Sequence, residues 1–161
     1  MKVVSKQRNS RMCYVCGMDN TEGLKAQFYN MEDGSVMTKF RYRTEHQSFP
    51  QRVHGGLIAT MFDELAFRAY WVKDDTMLGA TMSIDVKYRK PVPYEKDIIG
   101  KGIIVKDASR YFVAEAQLFD EDGVLLANST VNYIKLPIEK IADADFHEEM
   151  CYLIEDDVTE L

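Results

Sequence analysis

One segment of the sequence is apolar on almost every side of the helix that it would form. It runs from about Gly56 to Trp71, after a polar connection that contains Pro50 and before breakers at Asp74, Asp75 and Gly79. Its apolar residues are Leu57, Ile58, Ala59, Met61, Phe62, Leu65, Ala66, Phe67, Ala69, Tyr70 and Trp71. A helix with so little polar surface is a buried helix, so the rest of the chain has to enclose it.

The remaining sequence is typical of strands joined by tight turns. Apolar and polar residues alternate in several runs, and Gly-containing turns such as residues 32–35 and 120–123 separate neighbouring runs. The predicted strands are Leu24–Asn30, Val36–Tyr42, Thr81–Arg89, Ile98–Lys106, Tyr111–Phe119 and Val124–Ile134. Consecutive strands with short turns pair antiparallel. We therefore predict an α+β fold, an antiparallel sheet of five to six strands wrapped around one long central helix.

The chain of 161 residues fits a single domain, flanked by two short segments. We predict a loose leader at residues 1–12, the folded domain at 13–136, and an acidic C-terminal extension at 137–161 made of short helix and coil. Residues 139–161 hold nine acids and one base, so the other 138 residues carry 19 bases against 17 acids. The acidity belongs to the extension, and the domain itself is close to neutral.

These charges and the hydropathy pattern exclude several classes of function. The overall net charge of −6 disfavours nucleic-acid binding, which needs a basic face. The sequence has no stretch near the ~20 apolar residues of a membrane span. Residues 1–11 are polar and basic and lack the apolar core of a secretory signal. With three cysteines, an odd number, the chain is not disulfide-dense. We therefore expect a cytoplasmic protein without nucleic-acid or membrane partners.

The start of the buried helix carries the residues best suited to chemistry. Two glycines, Gly55 and Gly56, stand where unpaired N–H groups and the positive end of the helix dipole could polarise a carbonyl oxygen. Asp63 lies two turns later among apolar residues, where an ionised carboxylate needs a partner. The alternatives are a plain turn at the glycines, a solvated Asp63 and a structural His54. Glu64 and Arg68, four residues apart, predict a surface ion pair.

The run Val-His-Gly-Gly, six residues, Asp-Glu at positions 53–64 resembles the helix-start motif of hotdog-fold acyl-CoA thioesterases of the phenylacetate-pathway type. Three further segments are similar to this family. The turn-rich leader contains Cys13 to Gly17, Asn20, Gly23 and Leu24. The strand at residues 81–91 ends in Tyr-x-x-Pro. The closing hairpin contains Ser109, Arg110, residues 120–123, Leu126 and Ala127.

The resemblance implies a homodimer or homotetramer that hydrolyses acyl-CoA at the seam between subunits. The Gly56 amide would polarise the thioester carbonyl, and Asp63 of the partner would act as nucleophile or general base. Thr81 matches a hydroxyl that contacts the carboxylate or the water, and His54 would shape the loop near the carbonyl.

The sequence departs from this family six residues before the histidine. Many members have an asparagine there that helps to hold water or the thioester, whereas this chain has Ser48, with Gln51 nearby. Either side chain could donate a hydrogen bond in its place.

Coenzyme A phosphates would favour basic residues at the mouth of the seam. The candidates are Arg89, Lys90, Lys106 and Arg110. We predict no cofactor and no metal. Cys13 and Cys16 have the spacing of a zinc knuckle, but a second pair is missing, and Cys151, His46 or His147 would have to complete the site. Two thiols packed in a turn are the simpler interpretation.

Two other functions fit the same sequence. One is an acyl-thioester hydratase or dehydratase, in which His46 or His54 would work with Asp63. The other is a module that binds an acyl ligand without turning it over, to which the altered Ser48 position and the acidic extension would be relevant. In each case we predict an obligate oligomer, because one sheet is too small to cover so apolar a helix.

Overall fold

The computed structural model describes residues 1–142 and 145–161. Within these residues the chain forms seven strands and two α-helices. They are β1 (Val3–Lys6), β2 (Phe28–Met31), β3 (Val36–Arg41), α1 (Gly55–Trp71), β4 (Gly79–Tyr88), β5 (Asp97–Asp107), β6 (Tyr111–Phe119), β7 (Leu125–Lys135) and α2 (Phe146–Glu149). Two short 3-10 helices lie at Thr44–His46 and Ile138–Lys140.

The strands form one antiparallel sheet in the order β1-β2-β3-β5-β6-β7-β4. Helix α1 packs against β3 to β7. The predicted α+β fold is therefore confirmed, and each of the six predicted strands is present. Strand β2 begins four residues later than predicted, and the bounds of the other five differ by two residues at most. The sheet has one strand more than predicted, because β1 lies in the leader.

The central helix approaches the sheet closely at two glycines of β5. A Cβ atom on Gly100 would lie 2.8 Å from Leu65 Cδ2, and one on Gly102 would lie 2.7 Å from the Leu65 carbonyl oxygen. Leu65 is completely buried there. The core around it is built from fully buried side chains on both layers, among them Met61, Phe62, Ile98, Phe112, Leu118 and Val131.

The prediction of a loose leader at residues 1–12 is wrong. Strand β1 pairs with β2, and the Asn9 side chain is fully buried, donating to the carbonyl oxygens of Cys16 and Ala26. The acidic extension packs along this leader. The Val3 amide donates to the Thr159 carbonyl oxygen, and Lys6 forms an ion pair of 2.8 Å with Asp156. The leader is held by β2, by the turn that follows the leader and by the far end of the chain, and local patterns do not reveal these contacts.

Strand β4 lies at one edge of the sheet and exposes apolar side chains. Met82, Ile84 and Tyr88 are 64%, 37% and 54% exposed, although they belong to a ten-residue strand. A long edge strand with exposed apolar residues is a ready template for pairing with another chain. Among the described residues, the helices are all too short or too polar to cross a lipid bilayer.

Candidate active site

The start of α1 is closed by the side chain of His54. His54 is the N-cap residue, and its Nδ1 atom accepts a hydrogen bond of 3.0 Å from the Gly56 amide. The His54 carbonyl oxygen accepts from the amides of Leu57 and Ile58. The Gly56 N–H, predicted to polarise a substrate carbonyl, is therefore paired with an exposed histidine side chain.

Asp63 lies on the side of α1 that faces β4 and β7. The Thr81 hydroxyl donates to Asp63 Oδ1 at 2.7 Å. The Tyr133 hydroxyl lies 2.6 Å from the Asp63 carbonyl oxygen and 3.3 Å from Oδ1, and donates to them. Burial, together with the charge of Asp63, raises the pKa of Tyr133, so this hydroxyl keeps its proton. The half-buried carboxylate is thus oriented by neutral hydroxyl groups rather than neutralised by a cation.

Sequence reasoning missed two tyrosines of this region. Tyr133 lies in β7, whose alternating pattern predicts a strand but does not indicate that the Tyr133 hydroxyl contacts α1. Tyr88 belongs to the Tyr-x-x-Pro strand, a pattern that by itself indicates no function for this side chain. Its hydroxyl donates to the Gly55 carbonyl oxygen at 2.8 Å, so the end of β4 is tied to the start of α1.

Gly56 and Asp63 lie on the same face of α1 but are well separated along the helix axis. They are seven residues apart, which corresponds to two helical turns and about 10 Å along the axis. A single carbonyl group cannot contact both at once. One copy of the chain therefore presents the amide and the carboxylate as two separate half-sites.

Ser48 and Gln51 both lie in an exposed turn that precedes α1. The Ser48 amide donates to the Arg52 carbonyl oxygen, and Gln47 bridges to Val53, which closes the turn. Gln51 has a φ of 64°, in the left-handed region, and its amide donates to the Tyr94 hydroxyl. Among the described hydrogen bonds, none links the side chain of Ser48 or Gln51 to Asp63 or Gly56.

The four basic residues predicted to bind coenzyme A fall into two groups. The amides of Arg89 and Lys90 donate to the Leu126 carbonyl oxygen at one end of β7. Arg110 accepts from the Lys135 amide at the other end, and Lys106 lies beside it over the Tyr111 ring. Nine residues of strand separate the two ends, or roughly 30 Å. The four side chains therefore do not converge within one chain.

The two histidines proposed for a hydratase are not close partners of Asp63. His46 is buried, and its Nδ1 accepts from the Arg43 amide at 2.9 Å. Burial lowers the pKa of His46, so its ring is neutral at pH 7. The Nδ1 atom of His54 already accepts a hydrogen bond from the Gly56 amide. Among the described contacts, neither histidine is hydrogen-bonded to Asp63.

One group of side chains brings several metal-ligating atoms together. Among the described residues, ligand atoms of Cys13, Cys16 and Glu64 lie within 4.8 Å of one another. Cys13 and Cys16 come from the turn before β2 and Glu64 from α1, and the guanidinium of Arg68 contacts both Cys16 and Glu64. Cys151 is exposed elsewhere, and the His147 side chain lies outside the described atoms.

Known proteins share this architecture. Residues 51–127 match the family described as the thioesterase superfamily. The acyl-coenzyme A thioesterase THEM4 of Rattus norvegicus is 27% identical over 116 residues, which are 71% of this chain but only 49% of that protein. The chain thus spans about half the length of this curated relative.

Two solved structures are similar in fold. A thioesterase superfamily protein superposes with a TM-score of 0.70 at 22% identity, over 76% of this chain and 63% of that one. A hypothetical thioesterase from Streptococcus pneumoniae, solved with coenzyme A, has a TM-score of 0.63 at 17% identity, over 70% of this chain and 86% of that one.

The residues that match the thioesterase superfamily, 51–127, include the whole of α1 and β4. The predicted hotdog architecture and the resemblance to acyl-CoA thioesterases are confirmed at this level. The narrower likeness to the phenylacetate-pathway type stays a prediction, as do the functions of the individual site residues.

Proposed function

We propose that this protein hydrolyses an acyl-CoA thioester to a free acid and coenzyme A. The observation that carries the proposal is the 2.7 Å hydrogen bond from Thr81 to Asp63, which orients a carboxylate at the open edge of the sheet. The superfamily match, the name of the rat relative and the coenzyme A bound to the streptococcal protein support this substrate class.

The proposed active site is shared by two subunits that pair through β4. Antiparallel pairing about a twofold axis near Ile84 and Asp85 would set Tyr88 of one copy opposite Thr81 of the partner subunit. Tyr88 is bonded to the helix start, and Thr81 is bonded to Asp63. The same pairing would bring the Gly56 amide close to Asp63 of the partner subunit. The separation of about 10 Å within one chain and the exposed Met82, Ile84 and Tyr88 support this arrangement.

Hydrolysis of a thioester needs few catalytic groups, because the thioester carbonyl is already activated. The substrate carbonyl would displace the His54 side chain and accept from the Gly56 amide, which would stabilise the negative charge that develops on the oxygen. Asp63 would attack the carbonyl carbon or remove a proton from the attacking water. The hydroxyl groups of Thr81 and Tyr133 would hold the Asp63 carboxylate in a fixed orientation. In both routes the thiolate of coenzyme A leaves and water supplies the acid oxygen.

The basic residues fit a shared site better than a single chain. In the proposed dimer, Arg89 and Lys90 of one copy lie toward the same end as Lys106 and Arg110 of the partner subunit, where the phosphates of coenzyme A need cations. We further propose a cytoplasmic setting, which is consistent with three free cysteines.

Release of free thiol from a panel of acyl-CoA esters tests the hydrolase. We expect Asp63→Asn to lower the rate by about 10²- to 10⁴-fold, the usual contribution of a positioned base, without loss of folding. Asp122→Asn, in the exposed turn after β6, is the matched control and should retain full activity. Equal rates for wild type and Asp63→Asn would remove Asp63 from the mechanism. Hydration of an enoyl-CoA without thiol release, or binding without turnover, would favour one of the other two functions.

A charge placed in β4 tests the shared site. Ile84→Asp should shift the protein toward a monomer in light scattering and abolish most thiol release, because neither half-site is complete alone. Val4→Asp introduces the same charge at the opposite edge of the sheet, where Val4 is 67% exposed, and should leave both properties unchanged. A fully active Ile84→Asp monomer would refute the shared site.

A further inference from the structure

A second polar cluster lies beside α1, and the proposed hydrolysis does not use it. It consists of Cys13, Cys16, Glu64 and Arg68. Their reactive atoms are in contact: Arg68 Nη2 lies 2.9 Å from Cys16 Sγ, Arg68 Nε lies 2.7 Å from Glu64 Oε1, and Cys13 Sγ lies 3.7 Å from Glu64 Oε2. Cys13 is half-buried, whereas the Cys16 side chain is completely enclosed.

The turn that carries the two cysteines holds both sulfur atoms on one side. The Gly17 amide donates to the Cys13 carbonyl oxygen at 2.7 Å, which closes one helix-like turn. A Cβ atom on Gly17 would lie 2.3 Å from that oxygen, so the turn is as tight as a glycine allows. Residues three apart in such a turn share a face. The two sulfur atoms accordingly lie within 4.8 Å of each other.

The surroundings of the two thiols are unequal. Cys13 Sγ accepts from the amides of Val15 and Cys16. A hydrogen bond from the Cys16 thiol, with these amides, lowers the pKa of Cys13. The bond to Cys13 and burial raise the pKa of Cys16. Reactive cysteines have this combination of partial exposure and a stabilised thiolate, and an inert structural thiol does not.

Arg68 makes the cluster a poor metal site. Its guanidinium is 1% exposed and already pairs with two of the three atoms that a metal would need, Cys16 Sγ and a Glu64 oxygen. A divalent ion there would have a buried positive charge as its neighbour, and zinc sites need a fourth ligand. The same guanidinium would instead stabilise a negative charge on Cys16 during thiol–disulfide exchange.

We propose that Cys13 and Cys16 are a dithiol site that a small-molecule disulfide, such as glutathione disulfide, oxidises to an intramolecular disulfide. Cys13 is the attacking thiol, because it is the accessible one. Cys16 is the resolving thiol. Both the site and the class of its oxidant are independent of the proposed hydrolysis.

The exchange is balanced in two steps. Cys13 loses its proton to the solvent, and its thiolate, which accepts from the amides of Val15 and Cys16, attacks the small disulfide, so that a mixed disulfide forms and one small thiolate leaves. Cys16 then loses its proton to the solvent, and its thiolate, held by Arg68, attacks Cys13 Sγ and expels the second small thiolate. The two departing thiolates take up two protons. The protein loses two electrons and two protons, which the small molecule gains.

The test uses the full chain with the exposed third cysteine removed, Cys151→Ser, so that it cannot form mixed products. The reduced protein is incubated with glutathione disulfide, denatured and alkylated, and its mass is then measured by mass spectrometry. We expect the loss of two hydrogen masses, no alkylation, and a cross-linked peptide joining Cys13 and Cys16. Reduction with dithiothreitol should restore two alkylation sites.

Two further variants in the same background assign the order of the steps. With Cys16→Ser the reaction should stop at one glutathione attached to Cys13, because the resolving thiol is absent. With Cys13→Ser neither adduct nor disulfide should form, because Cys16 is enclosed. Thermal melting confirms that each variant is folded, and comparison of the two variants keeps the assignment valid if both are equally destabilised.

Three results would overturn the proposal. One is the retention of both thiols by the folded protein at oxidant concentrations that modify Cys151 in the wild type. A second is a Cys16 adduct in the Cys13→Ser variant. The third is binding of one zinc ion that protects both thiols from alkylation, which would make the cluster a metal site.

Discussion

Two neighbouring carboxylates on α1 face very different surroundings. Asp63 is turned toward β4 and β7, where the hydroxyl groups of Thr81 and Tyr133 donate to it. Glu64 is turned toward the leader, where the buried guanidinium of Arg68 neutralises it. Successive residues of a helix point about 100° apart, so one position separates an open edge from an enclosed interior.

The difference shows how surroundings decide what an acid can do. Neutral donors aim a carboxylate but leave its charge free to act on a substrate. A full positive charge at 2.7 Å compensates the carboxylate and fixes its position. We therefore assign the chemistry of the proposed hydrolase to Asp63, and to Glu64 we assign the anchoring of Arg68 and the cysteine turn.

The largest effect that this comparison predicts is on stability. Arg68→Met should lower the free energy of unfolding by about 3–5 kcal/mol, because it leaves the Glu64 carboxylate and the carbonyl oxygen of Arg8 without their donor. Urea denaturation measures the change. Arg89→Met, at an exposed position bonded to Asn128, should change stability by less than about 0.5 kcal/mol. A similar small loss for Arg68→Met would show that the buried pair is not a structural anchor.

A smaller effect, on catalysis, is expected on the Asp63 side. Thr81→Val removes one hydrogen bond to a charged group, worth about 1.5–3 kcal/mol, so thiol release should fall by about 10- to 150-fold. Thr130→Val on β7 is the control, because that side chain has no described contact with Asp63. If Thr81→Val changed unfolding but not the catalytic rate, Thr81 would be a structural residue like Arg68.

The smallest effect concerns a third carboxylate, Asp107, which is paired at the surface. Hydrogen bonds from Lys135 and Lys73 lower the pKa of Asp107 to about 2. Since its pKa is depressed on folding, its contribution to stability is present above about pH 4, the unfolded value, and is lost as the pH falls toward 2. Asp107→Asn should flatten the acid side of the stability profile slightly, and the exposed Gln117→Asn should not. Identical profiles for wild type and Asp107→Asn would contradict the pairing.

The sequence predicted α1 well because its apolar residues lie all around the helix. Its observed bounds, Gly55–Trp71, differ from the prediction by one residue. It also predicted that Glu64 and Arg68 pair, since four residues of helix bring them together. The prediction that this pair lies at the surface is wrong: Arg68 is among the most buried side chains of the protein. The leader supplies Gln7 and the carbonyl oxygen of Arg8 as its partners, and the turn that follows the leader supplies Cys16.

The candidate site was predictable in part, for a similar reason. The sequence predicts Gly56, Asp63 and Thr81 as site residues, and the resemblance implies that the Thr81 hydroxyl contacts either the carboxylate or the water. The contact of the histidine with the Gly56 amide and the contact of the β7 tyrosine with Asp63 were not predicted. Both contacts depend on where a side chain from another position points, which the local sequence does not encode.

What the sequence determined by itself was the set of elements and the class of fold, because alternation in strands and an all-apolar helix are local consequences of burial. Only the tertiary structure decided which of two adjacent acids faces the sheet edge, that the leader joins the sheet, and that an arginine is buried beside two thiols. These outcomes depend on which distant segments close over each face of α1, and the free energy of that packing is shared among residues far apart in the chain.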